Sequence, residues 1–333
     1  MIIKRADLLL LAAIAVVIVI VIPFTTSDYW IFTFGTVAAM AIAVIGLNVA
    51  LGWAGLLSFG QPVFMAIGGY ASALLTTKYE WNPWLALLAG AVLAMLTAAV
   101  VGMPVLRLES HYFAVSTFAM SLIVLSVING AQSYTGGSIG IAAIPPLRIG
   151  SIDFSQHVPY YVLTWGLVGL ALLGTYAVRA SRTGRAFRVL AARPDVAASL
   201  GMRVRRYRVI AFVISALLGA VSGSLIVEYA TYASPDNFNG DVGILVLAML
   251  FIGGVRTASG PIIGAGIVTI VPVVATQIGR YSALTFEALL LAILVLWPRG
   301  LGAGLAEGIE KVVGDAVRNL GKPRTPAARE VQR

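Results

Sequence analysis

The chain alternates long apolar stretches with short polar segments over most of its 333 residues. A helix that crosses a bilayer needs about 20 mostly apolar residues. Ten stretches approach that length, near residues 8–22, 30–51, 55–77, 84–106, 112–130, 158–178, 209–231, 241–255, 260–279 and 282–297. Gly and Pro interrupt those near 55–77 and 241–279, so half-helices or re-entrant segments are expected there. The pattern predicts an all-α, polytopic membrane helix bundle of about 8–10 transmembrane helices.

The composition of the chain excludes an ordinary soluble protein. Hydrophobic residues make up 59% of the chain and charged residues 11%, whereas a typical soluble domain has about 25% charged residues. We expect one transmembrane domain over residues 1–301. Residues 302–333 are predicted to form a cytoplasmic tail that is partly disordered.

Basic residues mark one side of the predicted bundle. The loop 179–208 carries nine arginines and one acid, and arginines concentrated beside spans lie on the cytoplasmic side of a bilayer. Lys4 and Arg5 place the N-terminus on that side, and ten spans return the C-terminus to it. The predicted outside segments carry only Lys78 and Arg148. Anionic lipid headgroups and the insertion rule explain the net charge of +9, which therefore does not indicate a nucleic-acid partner.

The middle of the basic loop has the pattern of a helical hairpin. Ser181 and Thr183 are suited to cap a helix that begins near Gly184. Pro194 ends this helix, because the residue before proline avoids the α region, and it is well placed to begin a second one. Gly201 is a natural C-terminal stop.

Each predicted helix of the hairpin has an apolar side. Phe187 and Leu190 project on one side of the first helix, and Ala197 and Leu200 are expected to give the second a small apolar face. Many arginine-rich loops only lie on lipid headgroups. The order of caps and breaks favours a docking element instead.

No catalytic constellation is present. The chain has two histidines and no cysteine, and it lacks a nucleophile elbow, a metal-ligand spacing and a Gly-x4-Gly-Lys-Ser/Thr loop. The protein is therefore not expected to be an enzyme or to bind a metal. If ATP drives it, another subunit must bring the ATPase.

The longest predicted outside segment covers residues 131–157. Its Gly and Pro content predicts a structured loop over the mouth of the bundle rather than a simple connector. A partner-facing role is predicted for part of it, namely Tyr134, Thr135, Gly136, Gly137 and Ser138.

The hairpin and several further stretches resemble a known family. Residues 195–201 are similar to the coupling motif Glu-Ala-Ala-x-x-x-Gly of ABC importer permeases, with Asp195 in place of the Glu and Val196 in place of the first Ala. The chain as a whole resembles the branched-chain amino-acid permeases of the LivM type. The other stretches that carry the resemblance are residues 48–61, 66–70, 135–138, 144–146, 234–236, 253–254, 260–261 and 297–301. The turn 255–259 departs from the family, which more often has an uncharged sequence where this chain has Arg256.

The resemblance implies a subunit of an ATP-driven importer in the bacterial inner membrane. Its partners would be a second related permease, two ATPase subunits that use ATP and Mg²⁺, a periplasmic substrate-binding protein and the lipid bilayer, with no cofactor bound by this chain. ATPase coupling would fall to Gly184, Arg185, Phe187, Arg188, Arg193, Pro194, Asp195, Ala197, Leu200 and Gly201. Permeases for urea and short-chain amides look similar. An ion-coupled secondary transporter or channel is the alternative from another class, but this chain has few buried ionisable residues for ion coupling.

Polar residues inside the apolar stretches are candidates for the substrate pathway. An amino acid is a zwitterion with an apolar tail, so a low-affinity pore needs a few polar groups. The candidates are Asn48, Ser58, Gln61, Ser116, Thr117 and Glu287. Each uncharged one alone is better interpreted as interhelical packing, whereas together they form a pathway hypothesis.

Two acids lie within predicted spans. Glu228 is near the outer end of its span and is expected to reach the membrane interface, helped by Tyr229 and Tyr232. Glu287 is deeper and is expected to face a partner group or water, because a charge at a bilayer centre costs about 2.5–3.5 kcal/mol. We predict that Glu287→Leu preserves the fold and changes transport or assembly.

Overall fold

The computed structural model describes residues 27–108, 110–150, 152–276 and 300–301. The predicted spans 8–22 and 282–297, the tail 302–333 and Glu287 lie outside these residues.

The described residues form eleven α-helices. They are α1 (Asp28–Leu47), α2 (Gln61–Lys78), α3 (Pro83–Val105), α4 (Ser110–Gly130), α5 (Gln132–Thr135), α6 (His157–Ala180), α7 (Arg182–Ala192), α8 (Pro194–Ser199), α9 (Val204–Ala230), α10 (Gly240–Gly253) and α11 (Gly260–Thr276). Each of the eight predicted spans in the described part of the chain coincides with one of these helices. Five helices (α1 with its extension, α3, α4, α6 and α9) are long and apolar enough to cross a membrane. The all-α membrane bundle is thus confirmed.

Strands are confined to two short antiparallel ribbons in the described residues. In the first, β1 (Ile141–Ala142) pairs with β4 (Tyr232–Ala233), with Ile141 opposite Ala233. In the second, β2 (Arg148–Ile149) pairs with β3 (Ile152–Asp153). The first ribbon joins the segment after α5 to the segment after α9, so two of the predicted outside segments meet.

Helices α1 and α9 form the centre of the bundle. Helix α1 packs against α6, α9 and α11, while α9 also packs against α2 and α3. Helix α1 is largely buried, whereas α4 and α6 bury few of their residues. The outer faces of α3, α4 and α6 expose large apolar side chains, including Leu96, Val100, Val115, Val162 and Leu173. Such faces suit lipid or another membrane subunit rather than water.

Glycines allow α2 and α9 to cross at close range. A Cβ added to Gly223 would lie 2.0 Å from the carbonyl oxygen of Met65, and one added to Gly68 would lie 2.2 Å from that of Ala220. Small residues at such crossings let helix backbones approach in lipid, where burial alone does not drive association.

We expect Gly223→Ala to lower the stability of the bundle, because the new methyl group overlaps backbone that cannot move away alone. The matched control is Gly166→Ala on α6, where nothing lies within 4 Å of the added Cβ. That variant should be neutral or slightly more stable, since Ala favours helix over Gly by about 1 kcal/mol. Thermal unfolding in detergent checks both, and equal midpoints for the two variants would contradict the close crossing.

The predicted interruptions are present. Helix α1 continues into a π-helical turn, Asn48–Trp53, and residues 55–60 are not helical before α2 begins at Gln61. Helices α10 and α11 have 14 and 17 residues and are separated by the turn 254–259. Fourteen residues rise about 21 Å, less than the roughly 30 Å of a hydrocarbon core. Helix α10 is therefore too short to cross a bilayer by itself.

Candidate functional site

The predicted hairpin consists of α7 and α8, packed beside the ends of α6 and α9. The Ser181 Oγ accepts a hydrogen bond from the Gly184 N–H at 3.4 Å, so α7 begins at Arg182, two residues before the predicted start. Pro194 is the first residue of α8. Gly201 has φ +73°, a left-handed conformation that favours glycine, and it follows the end of α8 as expected.

One side of the hairpin is anchored in the bundle. Phe187, Leu190 and Ala197 are fully buried. The ring of Phe187 meets that of Tyr207 on α9 edge to face, with centroids 6.4 Å apart. This apolar anchoring fixes the position of the hairpin relative to the membrane helices.

Leu200 does not share the buried face of Ala197, so the predicted common apolar face of α8 is wrong. Helix α8 ends at Ser199, and Leu200 has φ −80° and ψ 9°, so the helical three-residue spacing does not extend to it. Leu200 is instead 68% exposed, and Val196 is 44% exposed.

The exposed side of the hairpin combines apolar and basic groups. Val196 and Leu200 are exposed, and so are further coupling candidates of the hairpin, namely Arg185, Arg188, Arg193, Pro194, Asp195 and Gly201. Exposed apolar side chains rimmed by charges are typical of a protein-binding surface. We call the exposed side chains of Val196 and Leu200 the hairpin tip.

Asn48 connects the end of α1 to the turn 254–259. Its Nδ2 donates to the Thr257 carbonyl at 2.9 Å, and its Oδ1 accepts the Arg256 N–H at 2.9 Å. The Arg256 Nε donates to the Gly52 carbonyl, also at 2.9 Å. Two interrupted regions of the bundle, the π-helical turn of α1 and the turn between α10 and α11, are therefore joined.

Gln61 joins three membrane helices. Its Nε2 donates to the Ala43 carbonyl at 3.0 Å and to the Ser215 carbonyl at 3.3 Å, while its Oε1 accepts from the Ser215 Oγ at 3.0 Å. The side chain is 2% exposed. Both ends of the amide are thus used by α1 and α9.

Ser58 and Thr117 hold the non-helical segment before α2. The Ser58 Oγ accepts the Gly60 N–H, and the Thr117 Oγ accepts the Phe59 N–H, both at 3.1 Å. Ser116 is partly buried on α4. In this conformation Asn48, Ser58, Gln61 and Thr117 bond to protein groups, and their pathway role stays a prediction.

Glu228 was expected to reach the membrane interface, and this prediction is wrong because the side chain is buried inside the bundle. The side chain is 2% exposed, and its Oε1 accepts a hydrogen bond from the Ser72 Oγ. Tyr229 does not help Glu228 to reach the interface, because the Tyr229 ring stacks on the Tyr160 ring with centroids 3.6 Å apart. Sequence reasoning missed Ser72 as the partner, because 156 residues separate it from Glu228 and nothing in the apolar stretch around Ser72 signals pairing.

The predicted partner-facing loop divides into supporting and exposed residues. Thr135 is buried and its Oγ donates to the Ile128 carbonyl at 2.6 Å, while Gly136 and Gly137 have positive φ. Tyr134 and Ser138 are exposed, together with Ile139, which is 80% exposed. The Tyr232 hydroxyl donates to the Ile139 carbonyl at 2.5 Å. The loop is thus a fixed surface.

The β2–β3 ribbon carries an ion pair in the same outside segment. The Arg148 Nη2 lies 2.9 Å from the Asp153 Oδ2. The pKa of Asp153 is lowered from its usual value. The largest cause is a hydrogen bond from the Ser155 N–H, and the Ser155 side chain and the Arg148 charge lower the pKa further. Asp153 therefore remains charged at neutral pH and helps to fix the ribbon.

Comparison with known proteins places this architecture in a family. A family model described as "Branched-chain amino acid transport system / permease component" matches residues 29–298. The high-affinity branched-chain amino acid transport system permease protein LivM of Escherichia coli (strain K12) is 28% identical over 280 residues, which are 77% of this chain and 66% of that protein. The corresponding LivH protein of the same organism is 26% identical over 283 residues, 78% of this chain and 90% of that protein. The nucleoside ABC transporter permease protein NupC of Lactococcus lactis subsp. cremoris (strain MG1363) is 26% identical over 219 residues, 59% of this chain and 67% of that protein. The chain belongs to the family of branched-chain amino acid transport system permease components.

Proposed function

We propose that the protein is the permease subunit of an ATP-driven importer for branched-chain amino acids in the bacterial inner membrane. The observation that carries this proposal is the family match over residues 29–298, which spans all the described membrane helices. Both termini would lie in the cytoplasm, on the side of the hairpin.

The hairpin would receive the mechanical work of ATP hydrolysis. ATP and Mg²⁺ would be bound by two partner ATPase subunits, whose closure pushes on the hairpin tip. Because Phe187 and Leu190 anchor α7 under the ends of the membrane helices, a displacement of the tip would be passed to α6 and α9. Within the described residues, arginines concentrate at this end of the bundle, which supports its cytoplasmic placement.

The outside loop would receive substrate from a periplasmic binding protein. Tyr134, Ser138 and Ile139 form its exposed surface, and Thr135 with Gly136 and Gly137 fixes the backbone beneath them. A rigid loop suits docking because little conformational freedom is lost on binding.

The substrate would pass through the bundle with a second, related permease alongside. The interrupted regions at Asn48–Trp53 and 254–259 offer backbone that is not held in a straight helix, as in many transporters. Opening would exchange hydrogen bonds of Asn48, Ser58, Gln61 and Thr117 between protein and substrate.

Co-purification tests the assembly. We expect the full chain, extracted from its host in mild detergent, to bring down a second permease and an ATPase subunit with a phosphate-binding loop. Recovery of the chain alone, under conditions that preserve a known ABC importer prepared in parallel, would contradict the proposal and favour a self-sufficient transporter.

A further inference from the structure

Two cavities adjoin at the hairpin end of the bundle and share the side chains of Trp53 and Arg179. The first has a volume of about 330 Å³ and lies between α1, α6 and the start of α11. Its lining is mostly apolar and includes Ile45, Val49, Leu172, Leu173 and Ala258. The first cavity therefore suits a hydrocarbon chain.

The second cavity is basic. It has a volume of about 300 Å³ and lies between α7, the π-helical turn and the turn 254–259. Three arginines, Arg179, Arg188 and Arg256, line it, and no acid does so among the described residues. A cavity lined by several positive charges attracts anions. Basic pockets between transmembrane helices on the cytoplasmic side are known to bind lipid headgroups.

Trp53 offers an additional hydrogen-bond donor at the boundary between the cavities. Its indole N–H is buried and has no acceptor within the described residues. Its ring lies beneath the Arg179 guanidinium, at 5.7 Å from the ring centroid. A buried donor without an acceptor is unfavourable, and an ester or phosphate oxygen between the two cavities would satisfy it.

Arg256 occupies a position where glycine would be less strained. Its φ is +70°, in the left-handed region that non-glycine residues rarely adopt. Its N–H and Nε are bound to Asn48 and Gly52, which directs the residue to the rim of the basic cavity. The charge is thus held at a defined place despite an unfavourable backbone conformation.

We propose that the two cavities form one site for an anionic phospholipid of the inner leaflet. The phosphate lies against Arg188 and Arg256 in the basic cavity, and one acyl chain fills the apolar cavity. The lipid bridges α7 of the hairpin and the turn 254–259, so it stabilises the contact between the hairpin and the membrane helices. This inference rests on the proposed cytoplasmic placement of the hairpin and not on the identity of the transported substrate.

Native mass spectrometry of the purified full chain tests the site, with phosphatidylglycerol and phosphatidylcholine of identical acyl chains offered together. We expect preferential retention of phosphatidylglycerol. Arg256→Gln should lower this preference about fivefold, the effect of one basic charge near an anionic lipid. Ala258→Phe should fill the apolar cavity and lower retention of phospholipid with all arginines in place. Arg206→Gln is the matched control, because Arg206 is exposed at the same end and lines neither cavity.

Each other outcome overturns the proposal in a distinct way. Equal retention of phosphatidylglycerol and phosphatidylcholine would show that the basic cavity does not select an anionic headgroup. An equal loss in Arg206→Gln and Arg256→Gln would indicate diffuse surface charge. Displacement by inorganic phosphate, with no effect of Ala258→Phe, would indicate a site for a free anion only. If Arg256→Gln does not fold, Ala258→Phe decides the question. Because the measurement does not involve transport, its failure leaves the permease assignment untouched.

Discussion

Replacing Gln61 by glutamate is expected to lower the stability of the bundle by about 3–5 kcal/mol, the usual cost of an uncompensated buried charge. The side chain keeps its shape but loses the Nε2 donor that now serves the carbonyls of Ala43 and Ser215. The new oxygen would face those carbonyl oxygens. The glutamate side chain could not move away, because Gly46 and Gly219 pack closely against it. A Cβ added to Gly46 would lie 3.3 Å from the Gln61 Nε2, and one added to Gly219 would lie 2.8 Å from it.

The same glutamine-to-glutamate change at an exposed position is the control that separates the effect of burial from that of the new charge. Gln132→Glu changes an exposed glutamine of α5 and should alter stability by about 0.5 kcal/mol or less. Thermal unfolding of both purified variants in one detergent provides the measurement. If Gln61→Glu unfolds at the temperature of the wild type, Gln61 does not join α1, α2 and α9 in the way described.

Replacing Leu200 by aspartate is expected to abolish association with the proposed partner ATPase without loss of the folded chain. Leu200 is the most exposed large apolar side chain of the hairpin, and aspartate would put a hydrated charge in its place. Truncation of a central apolar anchor at an interface costs about 2 kcal/mol or more, which is about thirtyfold in affinity. ATPase recovered per permease in co-purification checks the result. The residue is outside the packed core, so insertion and yield should remain normal.

Ile139→Asp is the matched control for Leu200→Asp. Both changes place a carboxylate at an exposed apolar position, but α6 separates Ile139 from the hairpin along the bundle. Ile139→Asp should keep the association with the proposed ATPase and weaken delivery by the proposed periplasmic binding protein. Retention of the ATPase by both variants would place the docking surface elsewhere. Ala197→Asp would not serve as such a test, because Ala197 is fully buried and its replacement would disrupt the anchoring of α8.

The sequence predicted those parts of the fold that depend on local patterns. Uninterrupted apolar runs indicated the helices, and the Ser181, Pro194 and Gly201 signals indicated the hairpin, because capping and proline effects act within a few residues. The start of α7 and the end of α8 each differed by one or two residues. Because α8 ends at Ser199, Leu200 does not share a helical face with Ala197 as expected, and it is exposed while Ala197 is buried.

The contacts that assemble the candidate site could not be predicted in this way. The Asn48–Thr257 and Ser72–Glu228 hydrogen bonds join residues 209 and 156 positions apart. In an almost uniformly apolar sequence, nothing marks which helices become neighbours, because apolar faces pack on lipid and on protein alike. Glu228 was therefore expected to reach the membrane interface, although a serine on α2 provides its partner inside the bundle.

The central proposal is that this chain is the permease subunit of an importer for branched-chain amino acids, and uptake of labelled leucine tests it most directly. Cells that lack the chain are compared with the same cells complemented by it, with urea and glutamate as comparison substrates. We predict that leucine uptake alone is lost in the deletion and restored on complementation. Unchanged leucine uptake in the deleted cells, whether or not urea uptake is lost, would contradict the claim.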